Sequence, residues 1–204
     1  MAKIKQYIDC NYSSRKQKPY VFVVHYTGSN NVDGTLSWFA NPEARVSSHE
    51  VIDKNGDRYL TVPPEKKAWH AGKSIYYDAN HPKGIGNVND FSFGYELVGV
   101  YGSDFTEAQY DALAEAIAER IYDRSFDIAL VTDLWGSIVG HEHIAPRRKI
   151  DPGPTFTWIK LYRTIHKTII HNYQDAILPS MVHRPPIIEY MRDNYASTRK
   201  ERVG

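Results

Sequence analysis

The chain has 204 residues, a formal net charge of +1, 42% hydrophobic residues and 24% charged residues. These values are ordinary for one globular domain with a real core, and they argue against a protein that coats nucleic acid. Cys10 is the only cysteine, so no disulfide can form within the chain. Residues 1–19 are polar without the apolar core of a secretory signal, and no stretch is apolar for long enough to cross a bilayer. We therefore expect a cytoplasmic protein.

Three segments have the patterns of strands. The run YVFVVHY, residues 20–26, is β-branched and aromatic, which predicts a buried strand with His25 near its end. In SSHEVIDKNGDRYLTV, the Asn55-Gly56 pair separates two strand-like runs and predicts a hairpin with a type I′ turn. FSFGYELVGVY predicts a further strand with Glu96 in its interior, and the preceding YYDANHPKGIGNVND is interpreted as loop.

The pattern becomes helical from Thr106. Apolar residues then recur every three or four positions, and Thr106 with Gln109 predicts a capping box. Further helix is predicted from about Trp158 to Tyr173 and again after Pro186. Strands interleaved with helices predict a mixed α/β fold, with a central, mostly mixed β-sheet flanked by helices.

Composition divides the chain into three parts. Residues 1–19 form a polar N-terminal segment, residues 20–158 hold the predicted sheet and the motifs discussed below, and residues 159–204 predict a helical extension. From residue 160 onward, eight Lys or Arg stand against four acidic residues, so the extension is mildly basic. Basic helix faces are usually solvated, although this charge also suits weak contact with an anionic envelope.

The stretch GHEHIAPRRKIDPGP, residues 140–154, collects the residue types of a metal site. His141 follows a glycine after an apolar run, and Asp151 stands ten residues later beside two prolines that stiffen the chain. With His25 at a strand end, these residues supply two imidazoles and a carboxylate, the usual ligands of a catalytic zinc ion. The spacing alone does not establish such a site, because the chain has no HExxH helix.

Glu96 and Lys149 are candidates for proton transfer and charge stabilisation. Glu96 interrupts an apolar strand, where an unpaired carboxylate is costly to bury. It is interpreted either as an outward-facing residue or as a general base beside the metal. Lys149 belongs to three consecutive basic residues, a run that is usually solvated, yet it stands two residues before Asp151. From there its ammonium could reach a developing oxyanion.

Four segments occur in an order that resembles a known family: VFVVHYTG, AWHAGKS, NDFSFGYELVG and GHEHIAPRRKIDPGP. They resemble the zinc-dependent N-acetylmuramoyl-L-alanine amidases of the amidase-2 family, which includes phage amidase endolysins and is related to peptidoglycan recognition proteins. The likeness is greatest to the bacterial AmpD kind, which cleaves anhydro-muropeptides in the cytosol. The resemblance runs from about Tyr20 to Trp158. It implies an amidase domain over residues 20–158, bound Zn²⁺, and hydrolysis of the amide between N-acetylmuramic acid and L-alanine.

The resemblance also implies roles for individual residues. The metal ligands would be His25, His141 and Asp151. The catalytic residues would be Glu96 as the general base and Lys149 as the stabiliser of the oxyanion. The WHAG segment of the family lines the substrate groove, so substrate contacts are expected from Trp69 and His70. Tyr26, next to His25, is also expected to contact substrate.

The chain departs from the family pattern in two places. It reads ELVG where the AmpD kind typically has ELEG, so a second acidic residue is missing. His143 is an additional histidine, and we prefer His141 as the ligand because it follows the glycine and lies ten residues before Asp151. His49 is interpreted as structural or groove-lining, and Glu50 is given no role.

Several biological roles fit these predictions. The enzyme could be a cytosolic recycling amidase, a wall-lytic endolysin that reaches the wall after holin-type release, or an antibacterial effector. The basic extension favours a wall amidase by a small margin. The rival class is a module that recognises peptidoglycan without cleaving it, which the full set of ligands disfavours. In each case the expected partner is peptidoglycan or a muropeptide, nucleic acid is not a partner, and the chain is expected to be a monomer.

Overall fold

The structure, a computed structural model, describes residues 3–6, 10–131 and 133–172. The strands are β1 Ile4–Gln6, β2 Tyr12–Ser14, β3 Val21–Tyr26, β4 Glu50–Ile52, β5 Arg58–Leu60, β6 Lys66–Ala68, β7 Ile75–Tyr76, β8 Ile85–Gly86, β9 Ser92–Leu97 and β10 Ile138–Gly140. The α-helices are α1 Val32–Ala40, α2 Glu107–Tyr122, α3 His141–Ile144 and α4 Trp158–Asn172. Among the described residues, no helix has the length and apolar character that crossing a membrane requires.

Six strands form one mixed sheet in the order β1, β5, β4, β9, β3, β10. The neighbours β4, β9, β3 and β10 run parallel, whereas β4 and β5 are antiparallel. This confirms the predicted mixed sheet and the two long predicted strands, β3 and β9. Because parallel strands end at the same edge, the carboxyl ends of β9, β3 and β10 come together, which is where open α/β sheets bind ligands.

The hairpin between β4 and β5 is confirmed, but its turn differs from the prediction. Gly56 has a φ of +85°, whereas Asn55 is not among the residues with positive φ. The N–H of Gly56 donates to the carbonyl of Asp53, and the N–H of Asp53 donates to the carbonyl of Asp57, both at 2.9 Å. The type I′ prediction is therefore wrong. A three-residue hairpin loop needs only one left-handed residue, and glycine adopts that conformation without strain.

Some elements lie where the sequence predicts loop or no particular secondary structure. The polar N-terminal segment contains β1 and β2, which pair with β5 and β6. Helix α1 begins after Asn31, whose side chain accepts from the N–H of Gly34 at 3.1 Å. The stretch interpreted as loop, residues 76–90, contains β8, which pairs with β7. β1 and β2 have three residues each, and their pairing partners are distant in the sequence.

One face of the sheet packs against α2 and α4. Helix α2 has the predicted capping box, with both the Thr106 and the Gln109 bonds present. Its periodic apolar residues lie in the core, and α4 reaches the same core through Leu161 and Ile165. Helix α4 begins at Trp158, the predicted last residue of the catalytic domain, and runs on to Asn172. The division into three parts stays a prediction, and the helix predicted after Pro186 lies outside the described residues.

The opposite face of the sheet carries the candidate site. Val21 and Val23 of β3 lie in a second core cluster on this face, beneath the segment of residues 71–91. His25 continues their alternation, and Glu96 is its partner in the parallel register between β3 and β9. Since paired residues of neighbouring strands share a face, these two side chains lie side by side at the carboxyl edge.

Candidate metal centre and active site

The structure brings together His25, His141 and Asp151. His25 lies near the end of β3, His141 begins α3 directly after β10, and Asp151 follows in the next loop. The Nδ1 atoms of the two histidines lie 2.8 and 3.1 Å from the same carboxylate atom, Oδ2 of Asp151. All three residues are buried, and one donor atom from each lies within 4.8 Å of the others. Two imidazoles and one carboxylate so arranged fit the ligand set of a catalytic zinc ion.

Burial and hydrogen bonding set the protonation of these groups. Burial lowers the pKa of His25 to about 4, so its ring is neutral near pH 7. Burial alone would raise the pKa of Asp151, but hydrogen bonds with His141 and His25 outweigh it and hold that pKa below its usual range. A neutral imidazole and an ionised carboxylate are the forms that bind a metal ion.

The loop that carries Asp151 is fastened to the start of α3. The carbonyl of Asp151 accepts from the N–H of Glu142 at 2.9 Å. A Cβ atom added at Gly140 would lie 2.6 Å from Cδ of Pro152 and 3.3 Å from the carbonyl oxygen of Asp151. The glycine before His141 therefore allows the two metal-binding segments to approach each other closely.

Gly140→Ala is expected to push Asp151 away from the histidines. The added methyl group meets a proline ring and backbone rather than a flexible side chain, so overpacking should cost about 1–3 kcal/mol of stability. Urea unfolding and a zinc titration measure the two effects. Gly86→Ala is the control, because the nearest atom to its new Cβ is 3.8 Å away. Equal zinc affinity in Gly140→Ala and the parent would contradict this explanation.

The additional histidine, His143, takes no part in the cluster. Its Nδ1 accepts from the N–H of Gly140 at 2.9 Å, and its ring centroid lies 5.2 Å from that of Trp158. Its ring therefore has other partners, and His141 is the histidine of this loop that reaches Asp151.

Glu96 is partly buried beside the metal ligands. One oxygen of its carboxyl group, Oε2, is buried and has no hydrogen-bond partner among the described residues. Burial raises the pKa of Glu96 well above its usual value, the charge of Asp151 acts in the same direction, and the charge of Lys149 opposes them. The outward-facing interpretation of Glu96 is therefore wrong. A carboxyl group with a raised pKa in this position has the properties of a general acid–base catalyst.

Lys149 lies close enough to influence two groups of the site. Its positive charge lowers the pKa of both His25 and Glu96. Its own N–H donates to the carbonyl of Ala145 at 3.0 Å, which anchors the backbone of this residue to the end of α3. Lys149 is partly buried, whereas Arg147 and Arg148 of the same run are exposed.

The three expected substrate-binding residues have different surroundings. Tyr26 packs against the core cluster that the sheet shares with α2 and α4. Partial burial raises the pKa of its hydroxyl, and the charge of Asp151 acts in the same direction. The indole N–H of Trp69 donates to the hydroxyl of Ser13 at 3.0 Å. His70 lies behind His25, with its Nδ1 atom 3.0 Å from Nε2 of His25. Their contacts with substrate stay predictions.

Sequence reasoning missed two partners of His141. The carbonyl of Ala71 lies 3.0 Å from Nε2 of His141 and accepts from the guanidinium of Arg148 at 2.7 Å. A backbone carbonyl leaves no mark in a sequence, and Arg148 is hidden in the basic run before Asp151. Only the fold brings residue 71 next to residue 141.

His49 and Glu50 are structural residues of β4 and its entry. Nδ1 of His49 accepts from the N–H of Gly94 at 2.9 Å, in agreement with a structural role. Glu50 is fully buried, and its carboxylate accepts from Arg58 and Arg120. Glu50 thus has a role in packing that the sequence interpretation did not assign.

Comparison with known proteins places this site in a family. Residues 15–154 match the Amidase_2 family model, described as N-acetylmuramoyl-L-alanine amidase. The chain is 41% identical over 140 residues to the 1,6-anhydro-N-acetylmuramyl-L-alanine amidase AmpD of Escherichia coli K12, which covers 66% of this chain and 69% of that protein. It is 33% identical over 160 residues to the N-acetylmuramoyl-L-alanine amidase AmiD of the same organism, covering 69% of this chain and 51% of AmiD.

Comparison with solved structures points to the same family. The crystal structure of a selenomethionine derivative of AmpD superposes with a TM-score of 0.60 at 30% identity, covering 81% of this chain and 96% of that chain. Escherichia coli AmiD, solved with anhydro-N-acetylmuramic acid-L-Ala-D-γ-Glu-L-Lys, superposes with a TM-score of 0.58 at 31% identity, covering 72% of this chain and 58% of that chain. The fold, the buried cluster and the family match together show that this chain belongs to the Amidase_2 family of N-acetylmuramoyl-L-alanine amidases.

Proposed function

We propose that this chain is a zinc-dependent amidase that acts on soluble peptidoglycan fragments. It would hydrolyse the amide between the lactyl group of N-acetylmuramic acid and L-alanine of the stem peptide. The observation that carries the proposal is the convergence of His25, His141 and Asp151 beside Glu96, whose Oε2 atom is buried without a partner among the described residues. The soluble substrate is supported by the name of AmpD, a 1,6-anhydro-N-acetylmuramyl-L-alanine amidase, and by the anhydro-muropeptide solved with AmiD.

The metal would be held by Nδ1 of His25, Nδ1 of His141 and a carboxylate oxygen of Asp151. Bound zinc supplies a Lewis acid that activates water and polarises the scissile carbonyl. The protein keeps these three donors buried, and it keeps His25 and Asp151 in the protonation states that bind a metal ion.

Glu96 and Lys149 would perform the proton transfer and the charge stabilisation. Glu96 takes one proton from the attacking water as oxygen bonds to the carbonyl carbon, and it returns that proton to the amide nitrogen as the C–N bond breaks. The products are the lactyl carboxylic acid and a peptide with a free L-alanine amine. The raised pKa of Glu96 suits both transfers near neutral pH. The ammonium of Lys149 stabilises the negative charge that develops on the carbonyl oxygen.

Lys149→Met should lower kcat/KM by about 10²- to 10³-fold, the usual cost of losing one oxyanion stabiliser. It should also move the acidic limb of the pH–rate profile upward. Glu96 must be ionised to accept a proton, and loss of the Lys149 charge raises the pKa of Glu96 further. Arg147→Met, from the same basic run, is the matched control. A Lys149→Met profile identical to that of the parent would contradict this role.

The substrate is tested by giving zinc-loaded protein two substrates, intact sacculi and a soluble anhydro-muropeptide, with products identified by mass spectrometry. Preferred release of stem peptide with a free L-alanine amine from the soluble fragment supports the proposal. Preferred cleavage of sacculi overturns it in favour of the wall-lytic alternative. Binding of both without cleavage overturns it in favour of a recognition module.

The wall-lytic alternative rests on the basic extension alone. Residues 173–204 lie outside the described residues, so envelope contact stays a prediction, as do the cytoplasmic location and the monomeric state. A mutant endolysin from Bacillus subtilis superposes with a TM-score of 0.52 at 20% identity, covering 81% of this chain and 99% of that chain. A likeness at that identity concerns the fold and not the substrate.

A further inference from the structure

We infer that two adjacent residues, His70 and Ala71, hold both histidine ligands in the tautomer that leaves Nδ1 available to the metal. The inference rests on the proposed zinc site. A neutral imidazole carries one ring proton, so a nitrogen that donates a hydrogen bond leaves the other nitrogen as the metal-binding atom. The Nδ1 atoms of His25 and His141 face Asp151, where the metal would be held. Once the metal takes up both Nδ1 lone pairs, the ring proton of each histidine must be on Nε2, and each Nε2 then needs an acceptor.

The acceptor for His25 is fixed by a chain of hydrogen bonds that begins at Ser92. The hydroxyl of Ser92 donates to the carbonyl of Val88 at 2.7 Å, and its oxygen lies 3.1 Å from Nε2 of His70. Because the hydroxyl proton is already used, Ser92 accepts from His70, and the proton of His70 is on Nε2. Nδ1 of His70 is then an acceptor, and it lies 3.0 Å from Nε2 of His25. In the zinc-loaded protein His25 donates there, which leaves its Nδ1 without a proton and available to the metal.

The acceptor for His141 is a backbone carbonyl. Nε2 of His141 lies 3.0 Å from the carbonyl oxygen of Ala71, which can only accept. Nη2 of Arg148 lies 3.2 Å from the same ring nitrogen, but its two N–H groups donate to the carbonyls of Ala71 at 2.7 Å and Lys73 at 2.8 Å. The two lone pairs of the Ala71 carbonyl thus serve two donors. Nε2 of His141 therefore carries the ring proton, and its Nδ1 is available to the metal.

The segment that supplies both acceptors is itself fastened to β9 and its entry. The side-chain oxygen of Asn89 accepts from the N–H groups of His70 and Ala71, at 3.2 and 2.8 Å. A Cβ atom at Gly94 would lie 2.4 Å from Cγ of His70, so the ring needs a glycine beneath it. Two motifs of the sequence, AWHAGKS and NDFSFGYELVG, thus orient the ligands that two other motifs provide. These are positioning residues, because they touch the ligands and not the reacting atoms.

The test compares zinc dissociation constants, measured by competition with a chelator, in the parent and in two variants of His70. Leucine is of similar size without an acceptor, whereas asparagine can place an oxygen near the position of Nδ1. His70→Leu should weaken zinc binding by about 10- to 100-fold, the range for partners behind metal ligands. His70→Asn should recover most of this loss, which a purely packing role would not explain.

Ser92→Ala extends the test with a milder change. It removes the group that sets the tautomer of His70 and should also weaken zinc binding. Ser137→Ala is the matched control, because the buried hydroxyl of Ser137 likewise donates to a nearby carbonyl, that of Leu134 at 2.7 Å. Circular dichroism and urea unfolding establish whether each variant is folded. If His70→Leu does not fold, the zinc affinity of Ser92→Ala tests the inference.

Nitrogen NMR of the imidazoles in the zinc-loaded parent gives a direct readout. We expect protons on the Nε2 atoms of His25, His141 and His70. A proton on Nδ1 of either ligand overturns the inference but not the proposed zinc site. Zinc affinity equal to that of the parent in folded His70→Leu and Ser92→Ala has the same consequence. A parent chain that binds no zinc overturns the proposed function and this inference together.

Discussion

Glu96→Gln is expected to bind zinc as the parent does and to lose about 10²- to 10⁴-fold in kcat/KM. Glutamine keeps the size of the side chain but cannot accept and return a proton. Glu96 is outside the three-residue ligand cluster, and its Oε2 atom has no partner among the described residues, so no metal–ligand contact is lost. Steady-state hydrolysis of a muropeptide and the zinc content of the purified variant measure the two quantities.

Asp151→Asn is the comparison that separates catalysis from metal binding. The carboxylate of Asp151 contacts both histidines, so this variant should lose zinc and activity together. If Glu96→Gln hydrolysed muropeptide at the parental rate, the assignment of Glu96 as the general base would be wrong. Loss of zinc from Glu96→Gln would show instead that its carboxyl group helps to hold the metal.

Arg58→Met is expected to lower the free energy of unfolding by about 3–5 kcal/mol, the usual cost of leaving a buried charge without its partner. The side chain of Arg58 is 1% exposed, as is that of Glu50. Arg58 donates to Glu50 at 2.8 and 3.1 Å and to Glu119 at 2.8 and 2.7 Å. The variant leaves Glu50 buried with Arg120 alone at 3.1 Å. Urea unfolding measures the loss.

Two further variants show whether the lost partner is the cause. Arg58→Met combined with Glu50→Gln should be more stable than Arg58→Met alone, because the buried negative charge is removed as well. Lys5→Met breaks the ion pair of an exposed lysine with Asp57 and should change stability little. A small effect of Arg58→Met, similar to that of Lys5→Met, would contradict the importance of this network.

Much of the fold could be predicted because its main signals are local. The apolar run of β3 and the capping box of α2 depend on neighbouring residues, and both are confirmed. β1 and β2 have three residues each, and they are strands because β5 and β6 offer them backbone partners. The type of turn at Asn55-Gly56 depends on the register of the flanking strands, which the dipeptide does not determine.

The candidate site could be predicted in part, because its motifs name the ligands but not their surroundings. Glu50 and Glu96 both interrupt apolar strands and look alike in the sequence. The fold distinguishes them, since Glu50 meets the guanidinium groups of Arg58 and Arg120 whereas Oε2 of Glu96 meets no partner among the described residues. The acceptor behind His141 is a backbone carbonyl, which any residue at position 71 would supply.

The most direct test of the whole account is a zinc titration of metal-free protein, with hydrolysis of a soluble anhydro-muropeptide followed by mass spectrometry. Without metal we expect no product. With added zinc, activity should rise in proportion to the metal until the site formed by His25, His141 and Asp151 holds one ion per chain. Full activity in the metal-free protein, or a filled site that releases no peptide with a free L-alanine amine, would contradict it.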